Sequence, residues 1–294
     1  MLRSRISSGS RPLLMAALAL VLAAIAWEGY KLVGSDDGSS LFGVRLLPRA
    51  DDVSMPHLWQ VAQRFAEPEL SSTESSSVFL AVVLAAWFTF RVSLAGWLIG
   101  AVIGMLLAVL MQRFRTAQDA LLPYVVVSQT VPLVALAPLV VGWGGHLAVL
   151  GRPWEPWMSV AAISAYLAFF PVSVGMLRGL ESVPATQLGL MHCYAASWWQ
   201  TLVRLRLPAS VGYLVPALRL AAAASVIGAI VAEISTGTRG GIGRMIIEYA
   251  QSATGDPAKP WTAIIGAAGL GLAVAGLVSL LDLALFRFHP AAGR

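Results

Sequence analysis

Charged side chains inside long apolar runs are the residues of this sequence with the clearest potential for chemistry. Arg91 and Arg219 lie within such runs, and Glu28, Glu233 and Asp282 lie near the ends of others. A charge at the centre of a bilayer costs at least about 2.5–3.5 kcal/mol, so it tends to face a water-filled cavity or a partner. Arg91, Arg219 and Glu233 are therefore candidates for a polar pathway.

Arg219 is the deepest of these charges. It lies ten residues after Ala209, where its run begins, and at 1.5 Å per residue this places it about 15 Å deep, close to the middle of a bilayer. Two interpretations stay open. Arg219 is paired inside a dimer core, or it faces the pathway, where its planar guanidinium suits an anionic or polar solute.

The third apolar run carries two prolines, Pro132 and Pro138. Proline removes a backbone donor and distorts a helix, which here frees carbonyls beside Gln129 and Thr130. Irregular backbone is tolerated in a membrane where it is buried or lines a water-filled path. Gln129, Thr130 and Pro132 are therefore further pathway candidates, with simple packing kinks as the alternative.

The sequence offers no catalytic constellation. A phosphate-binding loop needs Gly-x4-Gly-Lys-Ser/Thr, and the only lysines, Lys31 and Lys259, lie in no such setting. An intramembrane hydrolase would need a membrane serine with a histidine partner, but His146 lies in a predicted loop and no G-x-S-x-G surrounds a membrane serine. The four histidines are far apart and show no H-E-x-x-H spacing. We predict a chain that is not an enzyme and holds no metal or cofactor.

Composition places the elements that carry these residues in a membrane. Hydrophobic residues make up 57% and charged residues 12%, against about 25% charged in soluble domains. The net charge of +5 comes from scattered basic residues, so we predict no nucleic-acid partner. The single Cys193 excludes an internal disulfide.

Six runs are long enough to cross about 30 Å of hydrocarbon, near residues 12–34, 78–112, 119–143, 158–177, 209–235 and 261–286.

Arginines precede the first of these runs and divide the second. The first follows Arg3, Arg5 and Arg11 like a signal peptide, but it is too long and lacks a clean cleavage site, so we predict a retained helix. Arg91 divides the second run, which predicts a partly interfacial helix over 78–90 that leads into a true span over 92–112.

The distribution of basic residues predicts the orientation. With a cytoplasmic N-terminus, the inner segments hold 10 Lys and Arg in 56 residues, against 7 in 82 for the outer segments. This is the bias that the positive-inside rule requires. The outer segment 35–77 carries an amphipathic helix over Met55–Phe65, in a solvated loop or a binding region. Glycines of the stretch STGTRGGIG predict an outer turn after the fifth span: Gly237, Gly240, Gly241 and Gly243.

The inner segment 178–208 contains helix signals between two spans. Pro184 suits a first helical turn. Ser197 and Gln200 have the spacing of a capping box, and Pro208 is expected to end the helix that Ser197 begins. Trp199, Leu202 and Val203 form its apolar face. So short a helix must dock on something, either the membrane surface, through Trp198 and Trp199, or a partner.

Segment 178–208 resembles the EAA loop of permease subunits in ATP-binding cassette importers, whose pattern is E-A-A, three residues, G, nine residues, I, any residue, L-P. Because that loop couples the permease to its ATPase, we call segment 178–208 the coupling loop. Leu207 and Pro208 match the L-P, Leu205 stands for the Ile, and Ala195 replaces the Gly. Gly189, Leu190 and Met191 occupy the E-A-A positions. The resemblance assigns ATPase coupling to Gly189, Ala195, Ala196, Ser197, Trp199, Gln200, Leu202, Val203, Arg204, Leu205, Leu207 and Pro208.

Other stretches resemble the branch of these permeases that serves nitrate, sulfonate, taurine and pyrimidine-precursor import. The run Ala196, Ser197, Trp199 and Gln200 is similar to its G-A-S-x-W-Q motif. Four longer stretches extend the resemblance from Phe90 to the C-terminus: FRVSLAGWLIGAVIG (90–104), PLVALAPLVVGWG (132–144), PALRLA (216–221) and VAEISTGTRGGIGRMI (231–246).

The resemblance implies an all-α polytopic membrane protein of about six transmembrane helices with the type I importer permease fold. It implies an N-terminal part (1–77), a permease core (78–294), and a place in the bacterial inner membrane with the N-terminus in the cytoplasm. The implied partners are two ATPase subunits that hold ATP and Mg, a solute-binding protein, membrane lipid and a second permease, identical or not. The solute is not defined. An ion-coupled secondary transporter is the alternative.

Overall fold

The computed structural model describes residues 7–35, 38, 40–41, 44–45, 49–69, 76–149 and 151–288. Arg3 and Arg5 lie outside these residues, as do the side chains of Arg11 and Asp282. The described part contains eleven α-helices, one π-helical turn and two short antiparallel strand pairs, β1 with β2 and β3 with β4. Their bounds are α1 (Ser7–Val33), β1 (Ser40–Leu41), β2 (Val44–Arg45), α2 (Leu58–Ala66), α3 (Val78–Arg113), α4 (Arg115–Ser128), α5 (Leu133–Gly144), β3 (Ala148–Val149), β4 (Arg152–Pro153), α6 (Pro156–Glu181), α7 (Ala185–Cys193), α8 (Trp198–Thr201), the π-turn (Leu202–Arg206), α9 (Leu207–Thr236), α10 (Ile242–Gln251) and α11 (Lys259–Phe288).

The prediction of an all-α polytopic membrane protein is confirmed. Within the described residues, four helices are long and apolar enough to cross a membrane, and a bent helix pair makes a fifth if it counts as one span. The four are α3, α6, the continuous helix from α8 to the end of α9, and α11. The first predicted span corresponds to α1, which is 27 residues long but begins where side chains lie outside the described part.

Helix α3 is a single element of 36 residues, and the predicted division at Arg91 is wrong. Arg91 is exposed on the helix surface. A charged side chain that points away from the packed face leaves the backbone hydrogen bonds intact, so it does not end the helix.

The third predicted span, 119–143, is two helices rather than one. Helices α4 and α5 meet at 104° across a break of four residues. Pro132 is the N-cap of α5 and cannot donate a backbone hydrogen bond, and its ring disfavours the helical region for the residue before it. Pro138 lies inside α5 without ending it. The sequence located the distortion correctly and underestimated its size.

Helix α6 packs on α3 through a row of glycines. Gly96, Gly100 and Gly104 are spaced by four residues and share one face of α3. A Cβ added at any of them would lie within 2.7 Å of a backbone carbonyl of α6. Such close approach of backbones is the usual packing of membrane helices, where small residues replace the hydrophobic effect as the organising feature.

Helix α9 also packs closely on α6 through small residues. A Cβ at Gly179 would lie 2.8 Å from the Cα of Ser210, and one at Gly175 would overlap the Cβ of Ala217. Along α6, fourteen residues are buried, and half of them are Ala, Ser or Gly. Helix α6 is therefore the central element of the helix packing described here.

The chain divides into two compact units. The first comprises Met1–Ala81 with Glu248–Ile264, and the second comprises Val82–Ile247 with Ile265–Arg294. The candidate site residues predicted from the sequence all belong to the second unit.

The first unit is tied together by polar contacts between its two chain segments. Arg64 Nε lies 2.6 Å from Asp256 Oδ2, and the Tyr249 hydroxyl donates to Glu69 at 2.9 Å. Burial, and then the Glu69 carboxylate, raise the pKa of Tyr249. Helix α2 occupies most of the predicted Met55–Phe65 helix, and Val61 is its buried residue.

Candidate functional site

Helix α7 carries the first half of the coupling loop and ends in a Schellman motif. The Ala196 N–H donates to the Met191 carbonyl at 3.0 Å, and the Ala195 N–H donates to the His192 carbonyl at 2.9 Å. These are the two hydrogen bonds that define the motif. Its C′ residue is Ala195, with φ of 50°, the only non-glycine residue with positive φ in the described chain. Ala195 is also the residue at the position of the EAA-loop glycine.

We expect Ala195→Gly to stabilise this turn by about 0.5–1 kcal/mol, because a Cβ is unfavourable in the left-handed region. Hydrogen exchange of the Ala195 and Ala196 amides should slow accordingly. The matched control is Ala196→Gly, where φ is not positive and the added flexibility should speed exchange. Equal exchange in the two variants would contradict the assigned turn geometry.

The predicted capping box at Ser197 is confirmed. The Gln200 N–H donates to Ser197 Oγ at 3.3 Å, and the Ser197 N–H donates to Gln200 Oε1 at 2.8 Å. Ser197, the N-cap of α8, therefore follows directly after Ala196, the last residue of the Schellman motif. Helices α7 and α8 are joined by four residues whose backbone hydrogen bonds are largely satisfied, and this makes the loop a defined structure.

The prediction that Pro208 ends this helix is wrong. The chain continues from α8 through the π-turn into α9 without a break, and Pro208 lies in the first turn of α9. In the π-turn the Leu207 N–H donates to the Leu202 carbonyl, five residues back. This widened turn accommodates a proline, whose ring would otherwise clash with the carbonyl four residues earlier.

Leu202 anchors the loop to the helix core instead of facing a partner. It is 2% exposed and belongs to a buried cluster with Met111 and Leu180. Arg206 reinforces this anchor by donating to the Leu180 carbonyl at 3.0 Å. The predicted docking face of Trp199, Leu202 and Val203 is therefore wrong for Leu202, because α3 and α6 cover it.

The rest of the loop presents an exposed apolar surface. Helix α7 has no buried residue. Leu190 and Tyr194 are exposed on the α7 side, and Trp199 and Val203 are exposed at 66% and 56% on the α8 side. Among the other predicted coupling residues, Gly189, Ala195, Ser197, Gln200, Arg204 and Pro208 are exposed, and Ala196, Leu205 and Leu207 are half-buried.

The pathway candidates of the third run lie at the α4–α5 break. Gln129 is the C-cap of α4, and Thr130 donates its hydroxyl to the Val127 carbonyl at 2.8 Å. The Tyr166 hydroxyl of α6 donates to the carbonyl of Ser128. One carbonyl at the break is therefore satisfied by a neighbouring helix, while Thr130 and Pro132 stay exposed.

Both candidate arginines are exposed on the single chain. Arg219 lies on the surface of α9, and Arg91 lines a cavity with Phe88, Val92 and Trp157. The structure does not bring Arg91 or Arg219 together with the α4–α5 break in one described cavity. The sequence-based selection missed Arg239, which lies in the turn after α9 and lines a neighbouring cavity. An arginine inside a glycine-rich turn was the available signal.

Glu233 does not line a pathway in this chain, because it is fully buried and hydrogen-bonded. Thr89 of α3 donates its hydroxyl to Glu233 Oε1 at 2.8 Å, and the Gly243 N–H donates to Oε2 at 2.9 Å. The Ile242 N–H donates to Thr89 Oγ1 at 2.9 Å. We call these four residues the Glu233 clamp. A side chain at Gly241 would overlap the carboxyl group, which explains the glycine there.

The Glu233 clamp closes the turn between α9 and α10. Gly237 and Gly240 have φ of 66° and 93°, so the prediction of a glycine turn after the fifth span is confirmed. Glu233 lies before the turn and Gly243 lies after it, so the carboxylate holds both sides of the turn against α3.

The family model described as "Binding-protein-dependent transport system inner membrane component" matches residues 100–293, more than half of the chain. The chain therefore belongs to this family, and the resemblance drawn from its motifs is confirmed. The match includes the coupling loop, the α4–α5 break and the Glu233–Gly243 turn.

Individual relatives agree with this assignment. The chain is 34% identical over 152 residues to a probable ABC transporter permease protein of Haemophilus influenzae, covering 52% of this chain and 58% of the relative. It is 34% identical over 138 residues to the formylaminopyrimidine transport permease protein ThiX of Halalkalibacterium halodurans, covering 47% and 52%. It is 28% identical over 194 residues to the putative aliphatic sulfonates transport permease protein SsuC of Bacillus subtilis, covering 66% of each. The matches thus span about half to two-thirds of these relatives.

The fold is shared with a solved structure. A crystal structure of an amino acid ABC transporter with histidines matches with a TM-score of 0.55 at 18% identity, covering 70% of this chain and 94% of that chain. The membrane fold is therefore that of an ABC transporter permease.

Proposed function

We propose that this chain is the permease subunit of an ATP-driven importer in the bacterial inner membrane. A second permease copy, most simply an identical one, completes the membrane core. Two ATP-binding cassette ATPases, which hold ATP and Mg, dock on the coupling loop, and an extracytoplasmic binding protein delivers the solute. The family membership and the density of basic residues support this placement, with the N-terminus and coupling loop in the cytoplasm.

The construction of the coupling loop carries the proposal. Its exposed apolar surface, formed by Leu190, Tyr194, Trp199 and Val203, is large for a segment between two spans. A Schellman motif and a capping box hold this surface rigidly, and α8 continues without a break into α9. A rigid docking surface joined directly to a span is what transmission of an ATPase movement into the membrane requires.

The solute proposed here is small. The relatives reported above are named for formylaminopyrimidine and aliphatic sulfonates, so nitrate, sulfonates, taurine and thiamine- or riboflavin-precursor heterocycles are the classes to test. An ion-coupled secondary transporter is less well supported. It would need an intramembrane carboxylate free to exchange an ion, and Glu233 is engaged by Thr89 and Gly243.

The test is ATP hydrolysis by the complex assembled with its ATPase in proteoliposomes. The chain alone should show no ATPase activity, and the complex should show activity that the loaded binding protein stimulates. Val203→Asp should lower stimulated activity at least about tenfold, because it places a charge on the exposed apolar surface. Val53→Asp is the matched control, since Val53 is an exposed valine of the first unit, and it should leave activity unchanged.

Leu202→Asp separates docking from folding. It should unfold the chain or lower its thermal stability, because Leu202 is buried. Val203→Asp should leave stability unchanged. Normal stimulated activity in Val203→Asp would overturn the assignment of the coupling loop.

A further inference from the structure

Two adjoining cavities lie where α9 ends and α6 begins. One, of about 250 Å³, is lined by Arg91, Phe88 and Trp157. The other, of about 400 Å³, is lined by the same Phe88 and Trp157 and by Thr238 and Arg239 of the glycine turn. Because Phe88 and Trp157 line both cavities, the two cavities are neighbours. We call them together the outer vestibule, defined by Phe88, Arg91, Trp157, Thr238 and Arg239.

Helix α3 separates Arg91 of the vestibule from its coupling-loop end by about the thickness of a bilayer. Arg91 precedes Arg113, the last residue of α3, by 22 residues, which is about 33 Å along the helix axis. This length matches the hydrocarbon thickness of a bilayer, about 30 Å. If the coupling loop is cytoplasmic, the Arg91 guanidinium reaches the outer boundary, where a delivered solute enters.

The vestibule carries positive charge without counter-charge. Among the residues that the structure describes, neither Arg91 nor Arg239 has an ion pair or a side-chain hydrogen bond, and no carboxylate lines either cavity. The nearest acid in sequence, Glu155, accepts a hydrogen bond from Trp157 Nε1 at 2.7 Å. Two guanidinium groups from different elements, neither of them paired, therefore line two neighbouring cavities.

The walls between these arginines are aromatic and hydroxylic. Trp157 and Phe88 offer apolar ring surfaces, and Thr238 lines the second cavity beside Arg239. A guanidinium presents a planar fork of donors that suits a carboxylate, sulfonate or phosphate group. Aromatic side chains favour a flat apolar body. Ligand pockets usually measure about 300–1,000 Å³, so the cavity beside Arg239 falls within this range and the cavity beside Arg91 falls just below it.

The Glu233 clamp holds the backbone of the vestibule in place. Arg239 lies in the turn that the Glu233 clamp closes, between Glu233 on one side and Gly243 on the other. The clamp also joins this turn to α3, the helix that carries Arg91, through the hydrogen bond from Thr89 to Glu233. Buried hydrogen bonds therefore hold the backbone segments that carry the two arginines against each other.

We propose that the outer vestibule binds a small organic anion with a flat apolar body, with the anionic group between Arg91 and Arg239 and the body against Trp157. This inference rests on the proposed function and narrows its solute to an anion. Arg239 and Trp157 are thereby assigned to solute recognition at the entry to the membrane.

The test uses benzenesulfonate as the probe and benzenesulfonamide, its neutral analogue of similar size, as the comparison. The full chain is placed in phosphatidylcholine nanodiscs, and dissociation constants are measured by saturation-transfer NMR against empty nanodiscs. Benzenesulfonate should bind at least about tenfold more tightly than benzenesulfonamide. Arg239→Gln and Arg91→Gln should each remove that preference, and Trp157→Ala should weaken both ligands.

Arg115→Gln is the matched control, because Arg115 is an exposed arginine at the coupling-loop end of the spans, and it should bind as the wild type does. Equal binding of the two probes, or an unchanged preference in Arg239→Gln, would overturn the proposal. A lipid phosphate offers the same chemistry. If nanodiscs rich in phosphatidylglycerol abolish benzenesulfonate binding, the vestibule is a headgroup site and the solute proposal is wrong.

This binding experiment needs no ATPase, so its failure is distinguishable from failure of the proposed function. Loss of the anion preference in a chain that still couples to its ATPase would remove the vestibule proposal alone. Absence of coupled ATP hydrolysis would remove the importer proposal whatever the probe binding shows.

Discussion

Gly100→Ala is expected to lower the stability of the membrane core by about 1–3 kcal/mol, the usual cost of overpacking. The added Cβ would lie 2.6 Å from the Ala165 carbonyl oxygen and 3.1 Å from the Phe169 nitrogen. Both neighbours are backbone atoms of α6, so no side-chain rotation relieves the overlap and the helices must separate. The measurement is thermal unfolding of the purified chain in detergent, together with the folded yield.

The matched control for this substitution is Gly271→Ala. Gly271 lies inside α11, and a Cβ there would meet nothing within 4 Å. Alanine favours a helix over glycine by about 1 kcal/mol, so this variant should be as stable as the wild type or slightly more stable. Equal unfolding temperatures for Gly100→Ala and Gly271→Ala would contradict the close packing of α3 on α6.

Glu233→Ala is expected to destabilise the chain by about 2–4 kcal/mol. The change leaves the Thr89 hydroxyl and the Gly243 N–H buried without their acceptor, and each unsatisfied group costs about 1–3 kcal/mol. Glu233→Gln keeps the shape and one acceptor oxygen, so it should cost less. Thermal unfolding measures both variants, and Glu181→Ala, at an exposed carboxylate, should change stability by less than about 0.5 kcal/mol.

Transport measurements distinguish two roles for Glu233, a structural role in the clamp and direct contact with the solute. With a clamp, uptake in proteoliposomes falls in proportion to the folded fraction of the variant. If folded Glu233→Gln protein were as stable as the wild type and yet failed to transport, Glu233 would contact the solute and the clamp assignment would be wrong.

Local signals in the sequence predicted the features that local geometry controls. The capping box needs only Ser197 and Gln200 three residues apart, and the turn after α9 needs only glycines where φ is positive. The glycine position of the EAA pattern was identified even though Ala195 occupies it, because the flanking pattern fixes the register. The backbone there keeps the left-handed conformation that favours glycine.

Features that depend on distant residues could not be predicted from these patterns. No sequence pattern distinguishes Leu202 from Val203 as the buried residue. Packing against α3 and α6 decides which of the two is buried. Glu233 resembled a pathway residue because its hydrogen-bond donors, Thr89 and Gly243, are far away in the sequence or across a turn. A proline inside a helix usually kinks or ends it. The widened π-turn that accommodates Pro208 has no signature in the sequence.

The continuity of Trp198–Thr236 has a mechanical consequence. These 39 residues form one rod, about 58 Å long at 1.5 Å per residue. If this rigid helix tilts by about 10° around its midpoint, its two ends move by about 5 Å in opposite directions. One end carries Trp199 and the other is followed directly by the turn that holds Arg239. If a partner displaces the Trp199 end of this helix, the end next to Arg239 is expected to move in the opposite direction.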